Sequence, residues 1–157
     1  MKKIKNPFVE CENYNCFGCS PHHPFGLKME FFEEGDEVIA FWEPDDLYQG
    51  WNNILHGGIQ ATLMDEIASW IVFVKLKTSG VTSKMEIKLK KPVFTNKGKL
   101  TLKASIACVN KKIAKINVYL FDSENILCAE SNFFYYIYPQ NVAKEKLMYP
   151  GIGKFYE

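Results

Sequence analysis

The sequence predicts an α+β domain in which one long helix lies against an antiparallel sheet. Three observations carry this. From Gly57 to about Lys77 the apolar residues recur with helical spacing, without proline or interior glycine. Shorter segments before and after it alternate apolar and polar residues, as half-buried strands do. The turns between them are about four residues long, which joins antiparallel neighbours rather than parallel ones. The chain has 157 residues, 47% of them hydrophobic, and a formal charge of +1. That fits a single domain over 1–157 with a substantial core and excludes intrinsic disorder.

Taken in order, residues 1–26 carry Cys, Pro, His and Gly and are expected to be irregular. Leu27–Phe32 reads as a strand, Glu33–Asp36 as a turn and Glu37–Trp42 as the returning strand. Residues 43–55 form a loop. The helix follows, with Thr78-Ser-Gly80 as its stop. Thr82–Lys90 alternates next, with Met85, Ile87 and Leu89 on one face and Lys84, Glu86, Lys88 and Lys90 on the other. This places Ser83 with Met85 and Thr82 with Lys84. Lys99–Val109, Ile113–Phe121 and Ile126–Tyr138 complete a sheet of five to six strands, and residues 140–157 form a tail. Outward lysines agree with a sheet that is wet on one face.

Every basic side chain is lysine, and the charges are sorted. Residues 30–66 hold ten acids and no lysine, whereas 75–115 hold twelve lysines and one acid, Glu86. The near-neutral total argues against a nucleic-acid binder, while the basic stretch suits a phosphate-bearing partner. The basic start is followed by no apolar run of signal-peptide type. Ile67–Leu76 is too short to span a membrane, so no membrane partner is expected. Five cysteines, an odd number, point to a reducing cytoplasm rather than a disulfide framework.

The helix is apolar almost all round and should be deeply buried. Thr62, Asp65, Glu66 and Ser69 nevertheless form one polar stripe along it. Such a stripe either faces solvent or caps a strand, or it supplies a general base or nucleophile to a cleft. His56-Gly57-Gly58 enters the helix directly. Two glycines leave backbone N–H groups uncovered at the positive end of the helix dipole, a place that stabilises a developing oxyanion.

The run His56-Gly-Gly-Ile-Gln-Ala-Thr-Leu-Met-Asp65-Glu-Ile-Ala-Ser resembles the signature of PaaI-like hotdog-fold acyl-CoA thioesterases, relatives of 4-hydroxybenzoyl-CoA thioesterase. Cys16-Phe-Gly-Cys-Ser-Pro-His-His-Pro-Phe-Gly-Leu27 is similar to the opening of many members, and Val81-Thr-Ser83 through Pro92 is similar to the strand after their helix. The resemblance implies a hotdog fold, a helix wrapped by a curved sheet, with two subunits pairing to build the sites in a homodimer or homotetramer. It implies hydrolysis of an acyl-CoA to acid and CoA without a cofactor. Asp65 would act as general base or nucleophile, the Gly57 N–H, with Gly58 nearby, would polarise the carbonyl, and His56 would shape that end. Thr82 or Ser83 of the partner subunit would orient water. Relatives often carry Asn where this chain has Gly50; the adjacent Gln49 is the candidate for a replacement amide. Asn53 stands where relatives usually have Gly, and Asn tolerates the left-handed backbone.

Lys90 and Lys91, before Pro92, are the candidate phosphate contacts, since lysine meets phosphate as a point charge. Trp51, Ile54, Leu63 and Trp70 are candidates for the acyl pocket. The aromatics of Phe133–Tyr138 read as core. Cys11, Cys16, Cys19, His22 and His23 offer ligand atoms, but a second pair at zinc-finger spacing is missing, so no metal is assigned. Competing readings are a non-catalytic acyl- or CoA-binding module, a hotdog dehydratase and a metal-stabilised interaction domain. The spacing from His56 to Asp65 favours the thioesterase.

Overall fold

The computed structural model describes all 157 residues. Its centre is a seven-stranded sheet, antiparallel at every pairing, with one long helix on its concave side. The strands are β1 (Lys2–Ile4), β2 (Phe31–Glu34), β3 (Glu37–Trp42), β4 (Gly80–Leu89), β5 (Leu100–Asn110), β6 (Ile113–Phe121) and β7 (Leu127–Ile137), in the order β1-β2-β3-β5-β6-β7-β4. The helix α1 spans Gly57–Ile71, and a short helix α2 spans Gln140–Lys146. The expected α+β architecture is therefore present, with one strand more than the five to six expected.

The extra strand corrects the expectation that residues 1–26 are irregular. β1 pairs with β2 and buries Ile4. A three-residue strand between lysines has no alternation to read, and only its pairing makes it a strand. A 3₁₀ turn at Pro7–Glu10 follows, capped by the Asn6 side chain. The strand expected from Leu27 begins only at Phe31, because Lys28 adopts a left-handed backbone (φ 52°). Leu27 and Met29 instead bond through their N–H groups to the carbonyls of Phe17 and Gly18.

α1 runs on through one π-helical turn, Val72–Leu76, and stops at Lys77 in the left-handed region (φ 55°). The expected glycine stop, Gly80, serves another purpose. A Cβ there would fall 2.6 Å from the Tyr136 carbonyl oxygen, so glycine lets β4 start hard against β7.

The core lies between α1 and the sheet. Leu63, Met64, Ile67, Ala68 and Ile71 are fully buried against residues such as Val38, Leu102, Ile116, Val118 and Phe133. Each large side chain of this set contributes about 1.5–3 kcal/mol by leaving water. A second, aromatic cluster closes the far end of the helix. Trp70 stacks on Phe31 at 4.4 Å and meets Phe8, Phe73 and Phe155 edge-on or nearly so. Through Tyr149 and Phe155 this cluster docks residues 140–157, so that segment is a packed element rather than a loose tail.

In β4 the register slips between Thr82 and Lys84. Thr82 faces Tyr135, Lys84 faces Phe134, and Ser83 is the extra, bulged residue, its Oγ donating to the Phe134 carbonyl. This bulge overturns the simple alternation expected for the strand. It turns Thr82 to the helix side while Lys84 stays outside, its Nζ 5.1 Å from the centre of the Phe134 ring. β4 is also an edge strand with β7 on one side only, and Val81, Met85 and Leu89 are exposed along it. No helix is long and apolar enough to cross a membrane.

Candidate active site

The polar stripe of α1 does not face solvent as a row. Thr62 donates back to the Gly58 carbonyl, and the two adjacent carboxylates go to different places. Asp65 points toward β4 and β7. Its Oδ1 accepts from Thr82 Oγ1 at 2.7 Å and from the Tyr135 hydroxyl at 2.5 Å. The Tyr135 oxygen also lies 2.7 Å from the Asp65 carbonyl oxygen, which fixes the residue from both ends. Burial, and then the Asp65 charge, pushes the Tyr135 phenol well above its ordinary value, so it stays a donor. Oδ2 of Asp65 has no protein donor.

The helix entrance is built as the sequence suggests, with one refinement. His56 is the N-cap, and its Nδ1 accepts the Gly58 N–H at 2.9 Å. A neutral ring then carries its proton on Nε2. The Ile59 and Gln60 N–H groups both bond to the His56 carbonyl. Gly58 is therefore occupied as a donor, and Gly57 is the N–H left free at the positive end of the helix.

An open cleft of about 380 Å³ lies at this entrance. It brings together Trp51, Ile54, His56, Gly57, Lys90 and Lys91, six residues singled out from the sequence, with Leu89 and Pro92. Asn53 adopts the expected left-handed backbone (φ 60°). Lys90 lies 3.6 Å from Glu130, whereas Lys91 makes no ion pair. Gln49 uses its Oε1 on the Asn53 N–H and so braces the loop. Leu63 and Trp70 do not reach the cleft. Leu63 is sealed under the sheet and Trp70 belongs to the aromatic cluster, because the apolar face of α1 is consumed by core packing.

Two polar residues escaped the sequence reading. Tyr135 was grouped with the core aromatics; its ring is buried, but its hydroxyl reaches Asp65. Gln60 is buried beside the cleft with its Oε1 unpartnered. Its signal is a lone amide one turn into the helix, on the face away from the Thr62–Ser69 polar stripe.

Glu66 faces the other way, toward the N-terminal segment. Its carboxylate oxygens lie 3.5 and 3.6 Å from Cys16 Sγ, and Oε1 accepts from Trp70 Nε1 at 3.1 Å. Burial pushes the Glu66 carboxyl up to about 7. The Cys19 thiol, hydrogen-bonded to Cys16, holds the Cys16 thiol down to about 5 and is itself pushed up by that bond and by burial. All five cysteines are free thiols.

A helix wrapped by an antiparallel sheet, with a mid-helix carboxylate held by two hydroxyls, defines a hotdog-type domain. The family model of the thioesterase superfamily matches residues 52–129, from the loop before α1 into β7. The chain belongs to the thioesterase superfamily. Among solved structures, it is similar to a hypothetical thioesterase from Streptococcus pneumoniae with coenzyme A, at 21% identity over 71% of this chain and 87% of that one, with a TM-score of 0.66. A thioesterase from Haemophilus influenzae matches at 22% identity over 73% of this chain and 80% of that one, with a TM-score of 0.65. A Streptococcus mutans protein bound to acetyl CoA matches at 17% identity over 83% and 98%, with a TM-score of 0.67. At these identities the likeness is one of fold. The comparison with curated protein sequences gives no match.

Proposed function

We propose that this protein hydrolyses an acyl-CoA thioester to the free acid and CoA, as a PaaI-like member of its superfamily. The observation that carries this is the Asp65 carboxylate: Oδ1 is fixed by Thr82 and Tyr135 while Oδ2 is left for water or substrate. The free Gly57 N–H at the positive helix end accepts the thioester oxygen as it becomes negative. Asp65 Oδ2 either takes the proton of an attacking water or attacks the carbonyl carbon itself. In the first route the water oxygen bonds to the carbonyl carbon, the C–S bond breaks, and the proton held by Asp65 passes to sulfur, so that CoA leaves as the thiol. In the second CoA leaves as thiolate and an Asp65–acyl anhydride forms. Water then cleaves the anhydride, giving one proton to the thiolate and restoring the carboxylate. Lys91, and Lys90 beside it, meet the CoA phosphates at the rim of the cleft.

Geometry within one chain supports a site completed by a second copy. Gly57 and Asp65 are eight residues apart on α1, hence about 12 Å along the axis. A single carbonyl must sit about 3 Å from both a nucleophile and its oxyanion donor. Asp65 of one subunit therefore works with Gly57 of another, with the β4 edges and their exposed Val81, Met85 and Leu89 as the joining surface. The Thr82 hydroxyl comes from the same chain as Asp65 in this arrangement.

The test is thiol release from a panel of short, long and aromatic acyl-CoA substrates. Asp65→Asn should lower kcat at least ~100-fold while leaving the melting temperature close to that of the parent. Saturable CoA binding without turnover, or release indifferent to Asp65, would sink the hydrolase and leave a non-catalytic acyl- or CoA-binding module.

A further inference from the structure

We propose that Cys16, Cys19 and Glu66 form a binding site for a thiophilic divalent cation, zinc in the first instance. The Cys16 and Cys19 sulfurs and a Glu66 carboxylate oxygen all lie within 4.8 Å of one another. The donors come from two places that the sequence keeps apart, a tight turn and the middle of α1, 50 residues on from Cys16. Cys11, His22 and His23 take no part, so this is not the ligand set that residue spacing alone suggests.

The sulfur–oxygen separation between Cys16 and Glu66 fits a metal. Zinc bonds of about 2.3 Å to sulfur and 2.1 Å to oxygen, set at the tetrahedral angle, hold S and O about 3.6 Å apart. The Cys16–Glu66 distances are 3.5 and 3.6 Å. The supporting contacts also fit. Trp70 Nε1 occupies one lone pair of Glu66 Oε1, and the Tyr14 oxygen, which accepts from Asn6 Nδ2, lies 2.8 Å from Cys19 Sγ, where its O–H can donate to a thiolate. Ligands held by outer hydrogen bonds in this way are characteristic of metal sites.

Two further observations point to a cation and its remaining ligand. Glu66 has no lysine within ion-pair distance, so a partly buried acid and two thiols stand together without a positive partner. The cluster also opens into a cavity of about 240 Å³ lined by Tyr14, Ser69 and Ser79. Ser79 is 2% exposed, and its Oγ has no hydrogen-bond partner. A water in the open fourth position of the metal gives that hydroxyl its partner. Bound there, the cation clips the N-terminal segment to the helix residue next to Asp65.

Gly18 supplies an internal control. A Cβ at that position would overlap the Glu66 side chain from its carboxylate back to Cγ, 2.6 Å away. Gly18→Ala therefore displaces the side chain that supplies the oxygen ligand.

The experiment is metal analysis of the full chain, reduced and then dialysed against zinc, together with cobalt(II) titration. One zinc per chain and a thiolate-to-cobalt charge-transfer band are expected. Cys16→Ser, Glu66→Gln and Gly18→Ala should each weaken cobalt binding at least ~10-fold, and Tyr14→Phe by about 10-fold, whereas Cys11→Ser changes nothing. A reduced protein that is folded by circular dichroism yet retains no zinc and shows no cobalt band overturns the proposal. So does binding that survives both Cys16→Ser and Glu66→Gln. The readout is stoichiometry rather than thiol release, so either outcome leaves the hydrolase proposal to its own test.

Discussion

Asp65 uses only one of its carboxylate oxygens within the chain, and the two groups that hold it differ in kind. Thr82 is a flexible hydroxyl on a bulged edge strand, whereas Tyr135 is a buried ring with its oxygen 2.5 Å from Oδ1. In the proposed hydrolysis Tyr135 is thus the positioning residue. Tyr135→Phe should lower kcat about 10-fold, or about 1.4 kcal/mol of barrier, with KM little changed. It should also cost about 1–2 kcal/mol of stability, because the Asp65 backbone carbonyl loses its hydroxyl neighbour too. Steady-state kinetics and thermal melts read the two effects separately; a KM rise with constant kcat would assign Tyr135 to substrate binding instead. At this scale the sequence was legible where chemistry follows from spacing. His56, Gly57 and Asp65 sit on one helix, so their relation is fixed by the chain itself. Thr82 against Ser83 was not legible, because one bulged residue reverses which side chain points inward. Tyr135 and the Cys16–Glu66 pairing were not legible either, since both depend on which segments the fold brings together.

Elements whose apolar pattern is long and regular stand where the sequence places them. β3 and β6 match to the residue, and β5, β7 and the helix differ by one or a few positions. The elements that were missed, β1, the Pro7–Glu10 turn and α2, are short and owe their form to what they dock on. One junction shows how they are held. Glu33 on β2 accepts from the Lys75 ammonium of the π turn and from the Tyr156 hydroxyl near the C-terminus, the latter at 2.6 Å. Lys75 also donates to the Gly35 carbonyl at 2.7 Å. Partial burial raises the Glu33 carboxyl, but Lys75 and Tyr156 outweigh it and hold the group below its ordinary value. A carboxyl depressed in the folded state stabilises above its unfolded pKa, and that stabilisation is lost as pH falls through the folded value. At neutral pH the network contributes about 1 kcal/mol. Glu33→Gln should therefore melt lower than the parent at pH 7, and the gap should close as pH drops below the ordinary glutamate range. A gap that stays constant down to strong acid would mean that packing, not charge, holds these elements.

For the whole molecule the decisive fact is that the acid and the free helix-end N–H are separated by about 12 Å in one chain. One helix cannot present both to the same carbonyl, so the proposed hydrolysis couples activity to association. Two single-site variants make this measurable. Asp65→Asn removes the acid. Gly57→Pro removes the N–H itself, since proline has none, and it does so at the first helical position, where proline is tolerated. His56 already has an extended backbone (φ −57°, ψ 133°), as a residue before proline requires. A Cβ added there meets only Leu89 Cδ1, at 3.1 Å, and that side chain lies half exposed and free to yield. Each variant alone should be folded and nearly inactive. Mixed and allowed to exchange subunits, an equal mixture should recover about a quarter of the parent activity, because half of the sites in mixed dimers pair an intact Asp65 with an intact Gly57. Light scattering should give a solution mass that is a multiple of 18.1 kDa for the parent and for both variants. A mixture that exchanges subunits, as shown by native mass spectrometry of differently tagged chains, yet stays inactive would place acid and N–H in one subunit's site. Met85→Asp, which puts a charge on the exposed β4 edge, should release monomers and abolish thiol release with them. An active monomer would refute the coupling from the other side.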